Sequence, residues 1–384
     1  MKTTIKEKII NFLGNEKRQR RIIPVFAILI SLIVGAIMIM LVGKNPITSY
    51  QNLLQGSGIL PKPSYAGSKG MLTDFMSFLN ALTPMIFAAL AVGVAFKVGL
   101  FNIGVAGQML LAGFTATVIV GYSNLDAIVA KPLVVLIGIV CGAAVGGLIG
   151  YLKYRFNINE VVSCIMVNYI LQYVISFLIN MYYVDVVSRQ SRKIAEAASL
   201  TLKNVEAFGM KMEIPIGMIL AVVATFVIKF IFDKTKLGYE MKVVGKSQKA
   251  ARYAGIQVGR TLVVAMLISG ALAGLAGVTF YLGYNTSIQP KVLSSVGYDA
   301  IAVSLLGNAN PVGSMLSAFL ITIISKGSTY MRSTAGVPQE MSAVITALIL
   351  LFSACGAYIQ YRIKCAKDKL EEQAKNDHKE KETV

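Results

Sequence analysis

The chain has 384 residues, 55% of them hydrophobic and only 15% charged, with a mean hydropathy of +0.65. A chain this long and this apolar does not stay in water as a globule, which excludes a soluble enzyme or binding module and predicts an integral membrane protein. The formal net charge of +18 does not point to nucleic acid, because the Lys and Arg residues sit in short loops and tails beside apolar runs, where they set membrane orientation.

In chain order, a basic segment over 1–21 with seven Lys or Arg precedes Ile22 to Val42, an uncharged run holding 14 Leu, Ile, Val or Phe. At about −0.3 to −0.6 kcal/mol for each such residue, insertion is favoured by about 4–8 kcal/mol. Its length and the lack of a small-residue cleavage site predict a retained span rather than a signal peptide. Residues 43–69, with Pro46, Pro61 and Pro63, read as a loop without regular structure. Apolar runs then follow over 76–96, 101–121, 132–150, 161–184, 214–232, 261–283, 294–325 and 340–358, with a mixed-charge external loop over 185–213. The run over 294–325 is interrupted by Gly307-Asn308-Ala309-Asn310-Pro311-Val312-Gly313, so it predicts two helices. Charge agrees. With ten spans and both termini inside, 24 Lys or Arg lie on the cytoplasmic side against 12 outside, whereas nine spans give 19 against 17.

The expected fold is therefore an all-α integral membrane protein of about ten transmembrane helices, one of them broken near 307–313. A transmembrane domain over 22–358 lies between the basic cytoplasmic segment 1–21 and a charged cytoplasmic tail over 359–384. An internal echo supports the break: Asn102, Gly107, Met109, Leu110 and Ala112 recur as Asn308, Gly313, Met315, Leu316 and Ala318 at an offset of 206, as internal duplications in transporters do.

Charged residues are nearly absent from the spans, and amides take their place. Asn102, Gln108, Asn168 and Asn308 are candidates for a pathway suited to an uncharged polar solute; each is costly in lipid unless it bonds another helix or faces water. Asn159 reads as a helix cap and Glu160 as an interfacial acid in the first turn. Gly138, Gly142, Gly146 and Gly150 form a packing stripe, and Gly270, Gly274 and Gly277 form another. The four cysteines and the single histidine, His378, offer no metal-ligand spacing. No metal site or other cofactor is expected, and no catalytic residue set is found.

Between two spans lies the polar stretch Lys234 to Arg260, with seven basic residues and one Glu. Within it Ser247 to Ala254 predicts two turns of helix stopped by Gly255, too short to persist unless packed against something. Gly245-Lys246-Ser247 imitates the end of a phosphate loop, but Glu240 stands where that pattern needs glycine.

Three segments carry a resemblance. Gly99-Leu100-Phe101-Asn102-Ile103-Gly104-Val105-Ala106-Gly107-Gln108-Met109-Leu110, Asn159-Glu160-Val161-Val162-Ser163-Cys164-Ile165-Met166-Val167-Asn168-Tyr169-Ile170, and Gly238 followed by Val244-Gly245 and Ala250-Ala251-Arg252-Tyr253-Ala254-Gly255-Ile256 are similar to the permease subunits of bacterial ABC importers for ribose-like sugars and nucleosides. Among these, the chain looks most like the longer permease of nucleoside systems served by basic-membrane-protein-type lipoproteins. It departs at Ala106, where that family commonly has glutamate. The resemblance implies a multi-pass plasma-membrane permease without an ATPase site of its own. It also implies a cytoplasmic ABC ATPase, a second, non-identical permease and an extracytoplasmic substrate-binding lipoprotein as partners, besides membrane lipid. Gly245, Ala250, Ala251, Arg252, Tyr253, Ala254 and Gly255 would then couple to the ATPase. The rival reading is an ion-gradient-driven transporter or channel, which uptake independent of any ATPase would favour.

Overall fold

The computed structural model describes residues 16–65, 67, 69–207, 210–356, 358 and 361–366. Residues 1–15 of the basic segment, and most of the charged tail with His378, lie outside them. The helices are α1 (Glu16–Leu41), α2 (Pro46–Gly56), α3 (Met71–Lys97), α4 (Val105–Ala116), α5 (Ala127–Phe156), α6 (Glu160–Leu178), α7 (Ile216–Lys234), α8 (Lys236–Lys246), α9 (Gln248–Tyr253), α10 (Val258–Thr279), α11 (Val296–Leu306), α12 (Pro311–Ala335) and α13 (Glu340–Ala354). α4, α6 and α10 each close in one wider, π-helical turn. The chain divides into two compact units, Tyr50–Gly336 and the two ends, Met1–Ser49 with Val337–Val384. In the second of these, α1 and α13 pack against each other.

Within the larger unit α10 is central, touching α3, α4 and α5. Its approach to α5 is possible only because both helices lack side chains along the contact. The two glycine stripes face one another: a methyl group on Gly142 would overlap the carbonyl of Gly270, one on Gly146 the carbonyl of Met266, and one on Gly274 the carbonyl of Gly138. Gly277, on another side of α10, meets the backbone of Met109 in α4 in the same way. In lipid, where apolar contact between helices has no solvent-driven advantage, close backbone packing of this kind supplies the attraction.

Among the described residues six helices are long and apolar enough to cross a membrane, or seven if Val25–Leu41 and Pro46–Gly56 form one bent span, and three shorter apolar helices accompany them. α11 is one of the short ones: its 11 residues reach about 16 Å at roughly 1.5 Å per residue, half of a hydrocarbon core about 30 Å thick. The break in 294–325 lies where the breaker cluster is, between Leu306 and Pro311, with Asn310 capping α12 through Val312 N at 3.1 Å. α4 and α12 start at Val105 and Pro311, which keeps the offset of 206 seen in the echo.

The chain is not purely helical. Residues 201–207 and 210–215 form an antiparallel hairpin, β1 and β2, inside the segment read as an external loop. Met210, Met212 and Ile214 alternate with Lys211 and Glu213, which is the two-residue period of a half-buried strand. Asn80 of α3 accepts a hydrogen bond from Thr201 Oγ1 at 2.9 Å, and Thr73 Oγ1 donates to Lys211 O at 3.2 Å, so the hairpin is fastened to the first half of α3. Nor is 43–69 all loop, since Asn45 Oδ1 accepts from Ile47 N at 2.9 Å and starts α2, with Pro46 in the first turn where its missing N–H costs nothing.

A Gly142→Val change should push α5 off α10 and destabilise the protein by about 1–3 kcal/mol, whereas Leu148→Ala, on an exposed face of α5, should stay within about 0.5 kcal/mol. Thermal midpoints of the detergent-purified variants test this, and equal midpoints for the two would refute the seam as the main helix contact.

Candidate functional site

Asn102 precedes α4 in the turn that follows α3, and its side chain is completely buried. Its Nδ2 donates to Gln108 Oε1 at 3.1 Å and to Ser269 Oγ of α10 at 2.8 Å. Its Oδ1 accepts from Gly104 N at 3.0 Å, from Gln108 Nε2 at 3.4 Å and from Cys164 Sγ of α6 at 3.5 Å. Ser269 Oγ in turn donates to Ala91 O of α3 at 2.6 Å. Asn168 on α6 lies against the same turn, with Oδ1 accepting from Gly107 N at 2.9 Å and Nδ2 donating to Ile103 O at 3.1 Å.

The structure thus gathers three of the four pathway candidates, Asn102, Gln108 and Asn168, into one network joining α3, α4, α6 and α10. Asn168 satisfies the backbone of a helix start whose N-cap residue, Gly104, has no side chain to do so. In a medium of low polarity each of these bonds is stronger than in water, and each unmade partner is costly. Asn308 stands apart. It is exposed, with a left-handed backbone (φ +55°) in the turn between α11 and α12.

Ser269 and Cys164 belong to this cluster although neither stands out in the sequence, where each is a small residue in an apolar run. Ala106, at the position where the resembling family carries glutamate, is fully buried, and its backbone lies directly against Gly297 of α11. That contact leaves no room for a side chain at Gly297. Among the described residues no group of three His, Cys, Asp or Glu could hold a metal ion.

A second arrangement occupies the polar stretch after α7. Thr235 Oγ1 accepts from Gly238 N at 3.1 Å and starts α8, a helix the sequence reading did not foresee, although Met241 and Val244 are apolar and buried on one of its sides. Ser247 Oγ then accepts from Ala250 N at 3.3 Å and starts the six-residue α9, which ends before Gly255 at φ +75°, a conformation open to glycine. Ala251 is turned inward and buried, while Ala250, Arg252 and Ala254 are exposed and Tyr253 is 94% exposed. Gly245 fits against the backbone of Lys97 at the end of α3, and Gly238 against Ile231 and Phe232 of α7. The element therefore rests on two long helices and runs straight into a third, α10.

Nearby, Asn159 Oδ1 accepts from Val161 N at 2.9 Å and caps α6, while Glu160 pairs with Lys153 of α5 at 3.0 Å. A cavity of about 610 Å³ opens among Tyr151, Tyr154, Gln257, Gly259 and Arg260, and none of the four amides lines it.

Residues 75–354 match the family described as the branched-chain amino acid transport system, permease component. The nucleoside ABC transporter permease protein NupB of Lactococcus lactis subsp. cremoris is 33% identical over 361 residues, covering 92% of this chain and 96% of that one. The guanosine ABC transporter permease protein NupP of Bacillus subtilis is 35% identical over 342 residues, covering 88% and 94%. The glucose ABC transporter permease protein TsgB13 of Haloferax volcanii is 27% identical over 354 residues, covering 90% of each.

An Asn102→Leu change would leave the Gln108 and Ser269 polar groups buried without their partner, at a cost of about 1–3 kcal/mol, whereas Asn308→Gly should cost less than about 0.5 kcal/mol. Thermal unfolding without any solute present separates the two, and an unchanged midpoint for Asn102→Leu would show that the cluster does not hold the helices together.

Proposed function

The chain belongs to the branched-chain amino acid transport system, permease component family, and we propose that it is the membrane permease of an ATP-driven importer whose solute is a nucleoside. The observation that carries the solute is the 33% and 35% identity, over most of the chain, to permeases named for nucleosides and guanosine. A simple-sugar cargo has weaker support, 27% identity to a glucose permease.

In this reading the protein hydrolyses nothing itself and works in the plasma membrane with a cytoplasmic ABC ATPase, a second, non-identical permease and an extracytoplasmic substrate-binding lipoprotein. Its Lys- and Arg-rich loops, including α8 and α9, face the cytoplasm under the positive-inside rule, as do both termini. The hairpin then faces outward.

α9 is the coupling element. Ala250, Arg252, Tyr253 and Ala254 form its contact with the ATPase, Tyr253 being a large exposed anchor of the kind that dominates interfaces. Ala251, Gly245 and Gly255 serve that contact from behind: the first two seat the element on the bundle, and the third turns the chain into α10. Closure of the ATPase would press on Tyr253, and the force would reach α3 through Gly245, α7 through Gly238 and α10 through the chain itself. Because α10 holds Ser269 and the glycine seam, its tilt moves the amide cluster and α5 as one body. Asn102, Gln108 and Asn168 would then bear on solute passage chiefly by fixing the helices that line the path, and Asn308 by its place in the turn between α11 and α12.

Deleting the gene should remove labelled-guanosine uptake that unlabelled ribose does not compete. A Tyr253→Asp replacement should reduce uptake and solute-stimulated ATP hydrolysis at least tenfold while the protein still reaches the membrane. Normal uptake in that variant would discard the coupling role, and guanosine uptake unchanged by the deletion would discard the nucleoside cargo.

A further inference from the structure

The glycine seam between α5 and α10 ends at Gly150, where an added methyl group would crowd Val263 and Met266. One turn on, the stripe position is taken by Tyr154. Its ring lies on Gly259, close enough that a methyl group there would overlap it. Backbone contact thus gives way to an aromatic spacer. The cavity of about 610 Å³ opens at this point, with Tyr151 and Tyr154 of α5 on one side and Gln257, Arg260, Val263 and Val264 on the other.

The lining is graded along α10. With its closing turn, Val258–Tyr284, that helix has 27 residues, so it is about 40 Å long at roughly 1.5 Å per residue, against a hydrocarbon core about 30 Å thick. About 5 Å at each end therefore stands among headgroups. Arg260 is about 3 Å from the start, and Val263 and Val264 are about 8–9 Å from it. The cation lies at headgroup level and the valines just inside the hydrocarbon. Tyr151 and Tyr154, both about half exposed in the last two turns of α5, lie at the level where an aromatic belt belongs.

Charge selects the occupant. The Arg260 side chain is exposed and makes no ion pair or hydrogen bond among the described residues, and no acid lines the cavity. Its basic neighbours on α5 are engaged: Lys153 pairs with Glu160 at 3.0 Å, and Arg155 stands over the Phe156 ring at 5.8 Å. A water-soluble anion would satisfy the arginine and leave the valines uncovered. A zwitterionic lipid would cover the valines but bring its own cation to the arginine. An anionic phospholipid suits both ends.

We propose that this cavity binds an anionic phospholipid of the leaflet beside α9, its phosphate held by Arg260 and its acyl chain lying on Val263, Val264 and the ring of Tyr154. The site depends neither on the solute carried nor on which side that leaflet faces. The lipid sits where the chain passes from α9 into the bundle, between the two helices of the seam.

The test is photo-cross-linking in proteoliposomes, with and without the co-purified ATPase, using phosphatidylglycerol that carries a diazirine in its acyl chain. Mass spectrometry locates the labelled peptides. Labelling should concentrate on 151–154 and 257–264, and unlabelled phosphatidylglycerol should compete where phosphatidylcholine and soluble glycerol phosphate do not. Arg260→Gln should lower labelling there about tenfold, the order expected for loss of one charge-assisted phosphate contact, with labelling of the other spans as the internal reference for folding and insertion. Lys249→Gln, which removes an exposed cation of α9 outside the cavity, should change nothing. Labelling spread evenly over the lipid-facing helices, or unchanged in Arg260→Gln, overturns the proposal. Equal competition by phosphatidylcholine overturns it in favour of ordinary boundary lipid, and competition by glycerol phosphate in favour of a soluble anion. Labelling that vanishes when the ATPase is bound overturns it in favour of a subunit interface.

Discussion

The backbone contact between α5 and α10 is the constraint on which the rest of the larger unit depends. Glycines at 138, 142 and 146 on one helix and at 270 and 274 on the other bring two chains together more closely than any side chain allows. Many weak contacts then act at short range, with no help from the hydrophobic effect that drives packing in water. Because α10 also touches α3 and α4, fixing its distance from α5 fixes the distances of those helices as well. A seam of bare backbone also has little relief along it, so the two helices can tilt together without unlocking interdigitated side chains.

Polar bonding completes what the seam begins. Asn102 sits where α3, α4, α6 and α10 converge, and Ser269 carries its reach to the Ala91 carbonyl. A buried network of this type is all-or-nothing, since one missing partner leaves several groups unsatisfied in a medium of low polarity. That property suits a wall that must move as a unit: the four helices either keep their mutual positions or lose them together. It also separates two kinds of amide that look alike in the sequence. Asn102 and Asn308 occupy equivalent places in the internal echo, yet one is a buried four-helix joint and the other an exposed turn residue.

The basic-side element links this core to the outside. Its two short helices would not hold alone; each is kept by a capping side chain and a buried apolar residue, and α8 also lays Gly238 on α7 and Gly245 on the end of α3. Its exposed residues include Tyr239, Arg252 and Tyr253, the last 94% exposed. Force applied there has few soft joints to cross before it reaches α3, α7 and α10, which is the physical support for the proposed coupling role.

Hydropathy and charge were enough to establish the membrane class, the position of nearly every apolar helix and the break before Pro311, because transfer from water to lipid is a sum over residues and needs no knowledge of neighbours. Local chemistry likewise revealed the cap at Asn159, the short helix within Ser247 to Ala254 and the stop at Gly255. The hairpin over 201–215 and helix α2 were legible as well, in the alternation of Met210, Met212 and Ile214 and in Asn45-Pro46, but the surrounding charges and prolines masked those signals. What no local pattern carried was partnership. Two glycine stripes about 130 positions apart face each other, Ser269 and Cys164 join an amide from another helix, Ala251 turns inward while Tyr253 turns outward, and α11 is half the length a full span needs. Each of these depends on which surfaces meet, a property of the folded arrangement and not of any stretch of chain, and that is why they were settled in three dimensions.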